Sequence, residues 1–525
     1  MLKNESTPNL QLPTPKYRWF HRWELGIGSW ELRLFTWLVA LALVAPVLAA
    51  TSNPIIDAVK AGGGAPLREA LKRRANVNLP EADGMTALHW AVQADAAESV
   101  TLLLRAGANV NAATRYGVTP LFLAATNGNA DIVQTLLKSG ADAKAALPGG
   151  ETVLMTASRA GKPAAVRALI LAGADVHAKE RTQEQNALMW AAIENNGEAV
   201  RVLAEAGARL NDRSKVLEFP EFKWVTSGMV STSLPRGGWT ALMYSARQGS
   251  IDAARALIAA GADPDATDPE GTTALILAIV NTHFDYAAAL IGLGADLNAA
   301  DVTGMTALYA AVDVHTLGPM LSRPVPQLTD RLNAADIVKL LLERGARPDP
   351  RLKRPILGRH HDSGDPSLGE GTTPLMRAAK SGDVEVVKML LDAGANPALT
   401  QRDYTNALMI AVAGGGRPTE YARPPTEAEA LEAVKSCLAR GVDVNAFNAN
   451  GQTALHLAAA RGANSIVSYL VEQGASLATR NKQGRTPLEI AMGQGGRGRG
   501  GPAVVRESTA ALLKELLAKQ AAGRP

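Results

Sequence analysis

The chain is poor in the residue types on which cross-linked folds and most catalytic sites depend. Its one cysteine, Cys437, excludes an intrachain disulfide and a cysteine-ligated zinc site. It lies in an amphipathic helical pattern, EALEAVKSCLAR, and reads there as a small core hydrophobe. Aromatics make up 4% of the residues, and four of the eight tryptophans (Trp19, Trp23, Trp30 and Trp37) precede residue 38. The remaining core must be built from Ala and Leu, which suits helices in close approach better than a sandwich or a large barrel. A net charge of +4 is small for 525 residues and gives no global electrostatic case for nucleic acid. The eight histidines are scattered, and none sits in an H-E-x-x-H pattern. No G-x-S-x-G elbow and no phosphate-binding Walker loop occur. A literal G-x-G-x-x-G at Gly496, Gly498 and Gly501 follows a helical pattern with no strand before it, so it reads as a flexible insertion. The same GGRGRGG run is too short to stand as an RNA-binding tract.

Long apolar runs are also scarce. One spans residues 34–50, LFTWLVALALVAPVLAA, after a polar stretch with Lys3, Lys16, Arg18, Arg22 and Arg33. It is short for a bilayer span and typical of a signal core, and Val47 and Ala49 suit cleavage before Ala50. Residues 1–49 are therefore expected to be a signal peptide or an N-terminal membrane anchor. Either places the rest outside the cytoplasm, periplasmic or extracellular, with a tether to the inner membrane through 34–50 if the segment is retained.

What the sequence has instead is one pattern used many times. In residues 117–149, Thr119 is placed to N-cap a helix with Pro120 at its first position. Leu121, Ala124 and Ala125 give that helix one apolar face, and Asn127-Gly128-Asn129 breaks it. Ile132, Val133, Leu136 and Leu137 line a second helix that Gly140 terminates. Each helix has about three turns and one greasy side, so neither folds alone. The G-x-T-[AP]-L start recurs at Gly84, Gly117, Gly150, Gly238, Gly271, Gly304, Gly371, Gly451 and Gly484. Two degenerate starts, at Asn186 and Asn406, put an equally good N-cap in place of threonine. Residues 50–83 form a further, N-terminal capping unit.

This pattern resembles the ankyrin repeat. Gly84-Met-Thr-Ala-Leu-His89 and Gly451-Gln-Thr-Ala-Leu-His456 nearly reproduce the family's T-P-L-H-x-A start. The segments ending in Asn111, Asn298 and Asn445 match its G-A-D-V-N hairpin, and the 33-residue spacing matches its period. The resemblance implies an all-α solenoid with short β-hairpins, of about 11–12 helix-turn-helix units held by nearest-neighbour interfaces. Repeats are expected over 84–213, 238–349 and 370–492, and a C-terminal capping helix and tail over 503–525. Insertions are expected at hairpin tips (214–237 and 350–369), between helices (317–331 and 414–426), and in a Gly/Arg loop (493–502).

Two departures bear on the packing. The family's histidine stitches neighbouring units through backbone hydrogen bonds, and here it survives as His89 and His456. Met155, Met189, Met243, Met376 and Met409 take the equivalent place, where a thioether packs but cannot donate, so the middle of the array is expected to be looser. Trp90 and Trp190 directly follow that position and are expected to pack in the core.

No metal, cofactor or catalytic residue is expected. Asp263, Asp265, Asp268 and Glu270 crowd one hairpin but miss the glycine and glutamate that a calcium loop requires. His360, His361 and Asp362 read as a surface loop. The resemblance points instead to protein binding on a concave face, through residues around the hairpins and at the ends of the first helices. Transferred position by position, it nominates Arg115, Tyr116, Arg159, Trp239 and Arg247, with Glu194, Glu270 and Arg402 beside them. The insertion LEFPEFKWV adds Phe219, Phe222 and Trp224. Arg, Tyr and Trp are the types enriched at binding hot spots. The function expected is a non-enzymatic, exported scaffold for another protein, with no nucleic-acid partner. One alternative is an accessory subunit of an extracytoplasmic redox enzyme of cytochrome c or quinoprotein type, although the chain has no C-x-x-C-H for haem. Another is a hydrolase built on the insertions.

Overall fold

The computed structural model describes residues 53–217, 236–316, 330–356, 367–414, 425–493 and 504–522. The N-terminal segment, Phe219, Phe222, Trp224, His360, His361, Asp362 and the Gly/Arg run lie outside the described residues. The repeat body starts at Pro54 and, among the described residues, is all-α apart from one short hairpin and six isolated β-bridges.

Helices come in pairs. The first pairs are α1 (Pro54–Lys60) with α2 (Gly64–Lys72), α3 (Ala87–Gln93) with α4 (Ala97–Arg105), α5 (Pro120–Asn127) with α6 (Ala130–Lys138), and α7 (Val153–Ala160) with α8 (Pro163–Leu171). Next are α9 (Ala187–Ile193) with α10 (Gly197–Glu205), α11 (Ala241–Gln248) with α12 (Ile251–Ala259), α13 (Ala274–Val280) with α14 (Phe284–Gly292), and α15 (Ala307–Thr316) with α16 (Ala334–Glu343). The last are α17 (Pro374–Ser381) with α18 (Val384–Asp392), α19 (Ala407–Ala413) with α20 (Glu427–Leu438), α21 (Ala454–Arg461) with α22 (Asn464–Glu472), and α23 (Pro487–Ala491) with α24 (Glu507–Ala522). Odd-numbered helices pack on odd-numbered neighbours and even on even, giving two helix layers. The core lies between them: Leu88, Leu121, Leu154 and Leu188 from one layer meet Leu103, Leu136, Leu169 and Leu203 from the other, all fully buried. Each such leucine contributes about 1.5–3 kcal/mol, and it needs both neighbouring units to be covered.

Caps set the helix ends. The Asn129 side chain accepts from the N–H groups of Asp131 and Ile132, starting α6. At its other end the Ala141 N–H donates to the Leu136 carbonyl and the Gly140 N–H to that of Leu137, each at 3.0 Å, with Gly140 at φ 90°. Asn186 and Asn406 cap as expected, each accepting a methionine N–H at 3.0 Å. Thr119 corrects the expectation: its backbone has cap geometry, but its buried hydroxyl has no partner. Phe122 occupies the place of His89, and its ring offers no acceptor back to the cap.

Neighbouring units are stitched along three lines. His89 Nδ1 accepts the Thr86 N–H at 3.1 Å, which puts the proton on Nε2; that nitrogen donates to the Val118 carbonyl of the next unit at 3.0 Å. His456 repeats this with Thr453 and Arg485. At the hairpins a backbone N–H reaches the carbonyl of the preceding unit, as in Arg115 to Asp83 (3.1 Å), Arg181 to Gly149 (2.9 Å) and Val302 to Glu270 (2.9 Å). Beside them runs a side-chain ladder: Asn111 donates to the Gly140 carbonyl and accepts the Asp142 N–H, both at 2.9 Å. Asp265, Asn298 and Asp349 continue it through the middle of the array. The expected loss of stitching in the methionine units is therefore partial. Met155 Sδ even accepts the Thr152 N–H at 3.4 Å, so the bond missing there is the one across to the next unit.

The hairpin-tip insertion at 214–237 leaves through a stem in which β1 (Val216–Leu217) pairs antiparallel with β2 (Arg236–Gly237). Units on either side stay in register across it: Asn195 Oδ1 accepts from the N–H groups of Asp252 and Ala253, and Asn211 Oδ1 from Asp263. At the C-terminal end α24 packs on α22 and α23, with Leu513 fully buried and Leu512, Leu516 and Leu517 half-buried, as a capping helix does. Among the described residues no helix is long and apolar enough to cross a membrane.

Candidate binding surface

The odd-numbered helices and the hairpins that precede them carry the nominated residues. Counted from the N-cap, the residue four places on and the residue seven places on lie on the same side of each odd helix. Trp90 and Trp190 stand at the first of these places, Lys60, Arg159 and Arg247 at the second. The two tryptophans are half-buried against the core rather than within it, which corrects the sequence expectation. Their outer faces carry cations from the preceding unit: Lys60 Nζ lies 4.0 Å from the Trp90 ring centre, and the Arg159 guanidinium 4.9 Å from that of Trp190. Such stacking contributes about 0.5–1 kcal/mol at an exposed site.

The first pair is closed by a carboxylate. Glu81 accepts the Trp90 indole N–H at 2.8 Å through Oε2 and the Lys60 ammonium at 2.6 Å through Oε1. The second is open, because the buried Trp190 Nε1 has no partner. Arg159 is 3.8 Å from Glu151, whose Oε1 also accepts from the Thr156 hydroxyl at 2.9 Å.

A third aromatic group follows in the next unit. Trp239 meets Tyr244 edge-on, with centroids 5.4 Å apart and planes at 70°, and the Arg247 guanidinium lies 5.3 Å from the Trp239 ring centre. Tyr244 is buried, Trp239 is half-buried, and the indole nitrogen of Trp239 is also buried without a partner. At the hairpin of the third unit, Arg115 lies 5.2 Å from the ring of Tyr116, which is 66% exposed. The structure thus brings Arg159 beside Trp190, and Trp239 beside Arg247, with Arg115 and Tyr116 as a separate hairpin pair.

Other polar groups near the turns and hairpins serve the fold. The Asn127 amide donates to the Val92 carbonyl at 2.8 Å, joining two units. Glu270 faces Arg354 at 3.7 Å, and Arg402 faces Glu370 at 3.6 Å. Glu194 caps α9 and is exposed. The crowded carboxylates of the 263–270 hairpin accept backbone N–H groups: Asp263 from Asp265, Asp265 from Asp296, and Asp268 from Glu270 and Thr272. Among the described residues no cluster of three metal-ligating side chains occurs.

Sequence reasoning missed Tyr404 and Phe447. Tyr404 stands where other hairpins have glycine, holds φ 64°, and is 64% exposed. Phe447, 66% exposed, belongs to the adjoining hairpin, joined by the Ala449 N–H to the Asp403 carbonyl at 2.7 Å. The missing glycine of the Asn406 start was the available signal. Also unforeseen were two bridges between α15 and the unit of α17 and α18: His315 with Asp383 at 3.1 Å, and the buried Arg377 with Asp313.

A family model described as "Ankyrin repeats (3 copies)" matches residues 55–146, 142–214, 220–301, 242–317, 329–420 and 426–499. A BTB/POZ domain and ankyrin repeat-containing protein NPR1 from Malus hupehensis is 31% identical over 179 residues, covering 32% of this chain and 28% of that protein. The nuclear factor NF-kappa-B p105 subunit of Gallus gallus is 34% identical over 147 residues, 23% of this chain and 15% of its own. Diacylglycerol kinase zeta of Rattus norvegicus is 34% identical over 131 residues, 24% and 12% respectively. The chain thus matches less than a third of the length of each of these relatives.

Proposed function

Because this chain belongs to the ankyrin-repeat family, whose repeats mediate binding to other proteins, we propose that it is a non-enzymatic scaffold holding a partner protein on its concave, odd-helix side. The observation that carries the reading is a pair of cation-on-indole contacts at the odd helices and the hairpins before them: Arg159 on Trp190, and Arg247 on Trp239. Rigid aromatic and guanidinium groups of this kind anchor interfaces at low entropic cost. Arg115 and Tyr116 extend the surface onto a hairpin, and the insertion with Phe219, Phe222 and Trp224 departs from a stem that ends one residue before Gly238 and two before Trp239. The apolar run at 34–50 supports export, so the partner is sought outside the cytoplasm, with the chain free or tethered by its N-terminal segment.

The test is affinity co-purification of the full chain from the exported fraction, with wild type beside the double substitution Trp239→Ala/Arg247→Ala and with circular dichroism matched. Loss of the main partner from the variant is expected. Equal recovery of every partner would overturn the surface.

A further inference from the structure

We propose that the C-terminal hairpin tips form a docking edge for an anionic lipid surface, with Lys353, Arg402 and Lys482 as its cations and Tyr404 and Phe447 as its apolar contacts. This edge is distinct from the odd-helix surface described above, so the proposal goes beyond the scaffold reading and does not rest on it.

The backbone ladder between hairpins fixes which tip residues are equivalent. At eight hairpins one N–H donates to a carbonyl of the preceding hairpin, over 2.7–3.1 Å. Six of the eight donors are cations: Arg115, Arg181, Lys215, Lys353, Arg402 and Lys482. The other two are Val302 and Ala449, and none is an acid. The ladder uses only the main-chain N–H, so the fold does not require charge at this place. All six cationic side chains are exposed. Lys215, Lys353 and Lys482 have no side-chain partner among the described residues, and Arg402 faces Glu370 at 3.6 Å.

An acidic stretch divides the row. Between Lys215 and Lys353 the tips carry Asp268, Glu270 and Asp301. Beyond them, tip segments 351–356, 367–372, 400–405, 447–452 and 480–485 hold seven Lys and Arg against Glu370 and Asp403. Stacked units lie about 8–10 Å apart, so the three steps from Lys353 to Lys482 span roughly 30 Å.

Exposed rings mark the same half. Phe447 is bridged to its N-cap residue in the place that Thr267 and Thr400 hold in other hairpins. Tyr404 holds φ 64° where Gly451 and Gly484 stand, a left-handed backbone that disfavours any side chain. At each place a smaller residue would serve the fold as well, and the fold buries neither ring. Cations interspersed with exposed rings are the chemistry of a membrane interface, where rings enter the headgroup layer and Lys and Arg meet lipid phosphates. A lipid surface is favoured over an acidic protein because the chain has a second membrane-directed feature, the apolar run at 34–50. A weak single anchor becomes stable when a polybasic surface is added to it.

The test is co-sedimentation of the full chain with vesicles of equimolar phosphatidylglycerol and phosphatidylcholine, beside phosphatidylcholine alone. Whatever the apolar run contributes is common to every variant, so the readout is the change between variants. Each Lys or Arg near an anionic surface strengthens binding about fivefold, so Lys353→Gln/Arg402→Gln/Lys482→Gln should weaken it at least about tenfold on the anionic vesicles. Arg115→Gln/Arg181→Gln/Lys215→Gln removes the same charge from the other half and should cost less than about threefold. Tyr404→Gly/Phe447→Thr should weaken binding at least about threefold without lowering the thermal midpoint, because both replacements suit the backbone there. On neutral vesicles the two charge variants should match wild type. Equal losses from the two charge variants, no wild-type preference for anionic vesicles, or full binding by the aromatic variant would each overturn the proposal. Soluble poly-glutamate held as tightly as the vesicles would also overturn it, in favour of an acidic polypeptide. The scaffold reading is judged separately, by co-purification with Trp239→Ala/Arg247→Ala, which leaves this edge intact.

Discussion

Replacing His89 by methionine tests how the units are joined, and its cost follows from the contacts. His89 accepts the Thr86 N–H and donates to the Val118 carbonyl, at 3.1 and 3.0 Å. Methionine keeps a weak form of the first bond, as Met155 does at 3.4 Å, and loses the second. The Val118 carbonyl is not orphaned, because the Thr114 N–H also donates to it at 3.0 Å. The loss is therefore one net hydrogen bond, about 0.5–1.5 kcal/mol, instead of the larger penalty for an unmet buried group. Acidity adds a sign. Burial holds the His89 pKa below its ordinary 6.5, against an upward pull from the Val118 carbonyl. In the window between the folded and unfolded values the unfolded chain binds the extra proton. Stability from this group is thus full above 6.5, falls as the pH drops below it, and is lost below the folded value. Methionine has no such dependence, so wild type and variant should converge on acidification. Urea unfolding followed by Trp90 fluorescence at neutral and mildly acid pH measures both effects near the site, which matters because repeat arrays need not unfold in one step. A neutral-pH loss above about 3 kcal/mol, beyond what one net hydrogen bond provides, or a gap that widens with acid, would refute the reasoning.

Thr282 holds φ 63° at the turn where Gly128 and Gly161 stand in other units, so Thr282→Gly should stabilise the chain by about 1 kcal/mol in thermal unfolding. Asn129→Ala removes the acceptor of two backbone N–H groups and a bond to Asp95; a cost of about 1 kcal/mol is expected, with faster hydrogen exchange at Asp131 and Ile132. The Asp383 carboxylate raises the His315 pKa above 6.5, so the stability this pair provides is full below 6.5 and is lost as pH rises through the folded value. At a pair this accessible the change is a few tenths of a kcal/mol at most, and His315→Gln should flatten that part of the pH–stability curve.

The fold was legible because its determinants are local. Thr and Asn caps, small residues at the turns and glycine after the second helix each act within a few residues, and their spacing alone gives the unit. Side chains that work between units were harder to read. Asn127 looks like a free polar residue at a turn, yet it is spent on the Val92 carbonyl of the preceding unit. Trp90 and Trp190 share one register position, and only the structure shows that one has an acid beside its indole and the other has none. Tyr404 is hidden in the sequence because the Asn406 start presents a good cap, and the glycine it lacks is a single-residue signal.

The seam around the first insertion has an evolutionary meaning. Asn195 reaches over 57 residues of chain to hold the Asp252 N–H, and the β1–β2 stem closes beneath the departing segment. Helix register on both sides is thus held by bonds made between residues on either side of the segment from Leu217 to Arg236. Each doubling of such a loop costs only about 0.6 kcal/mol. That makes this hairpin a grafting port: evolution, or a protein engineer, can exchange its contents for another recognition loop, or a whole domain, and leave the supporting stack unaltered.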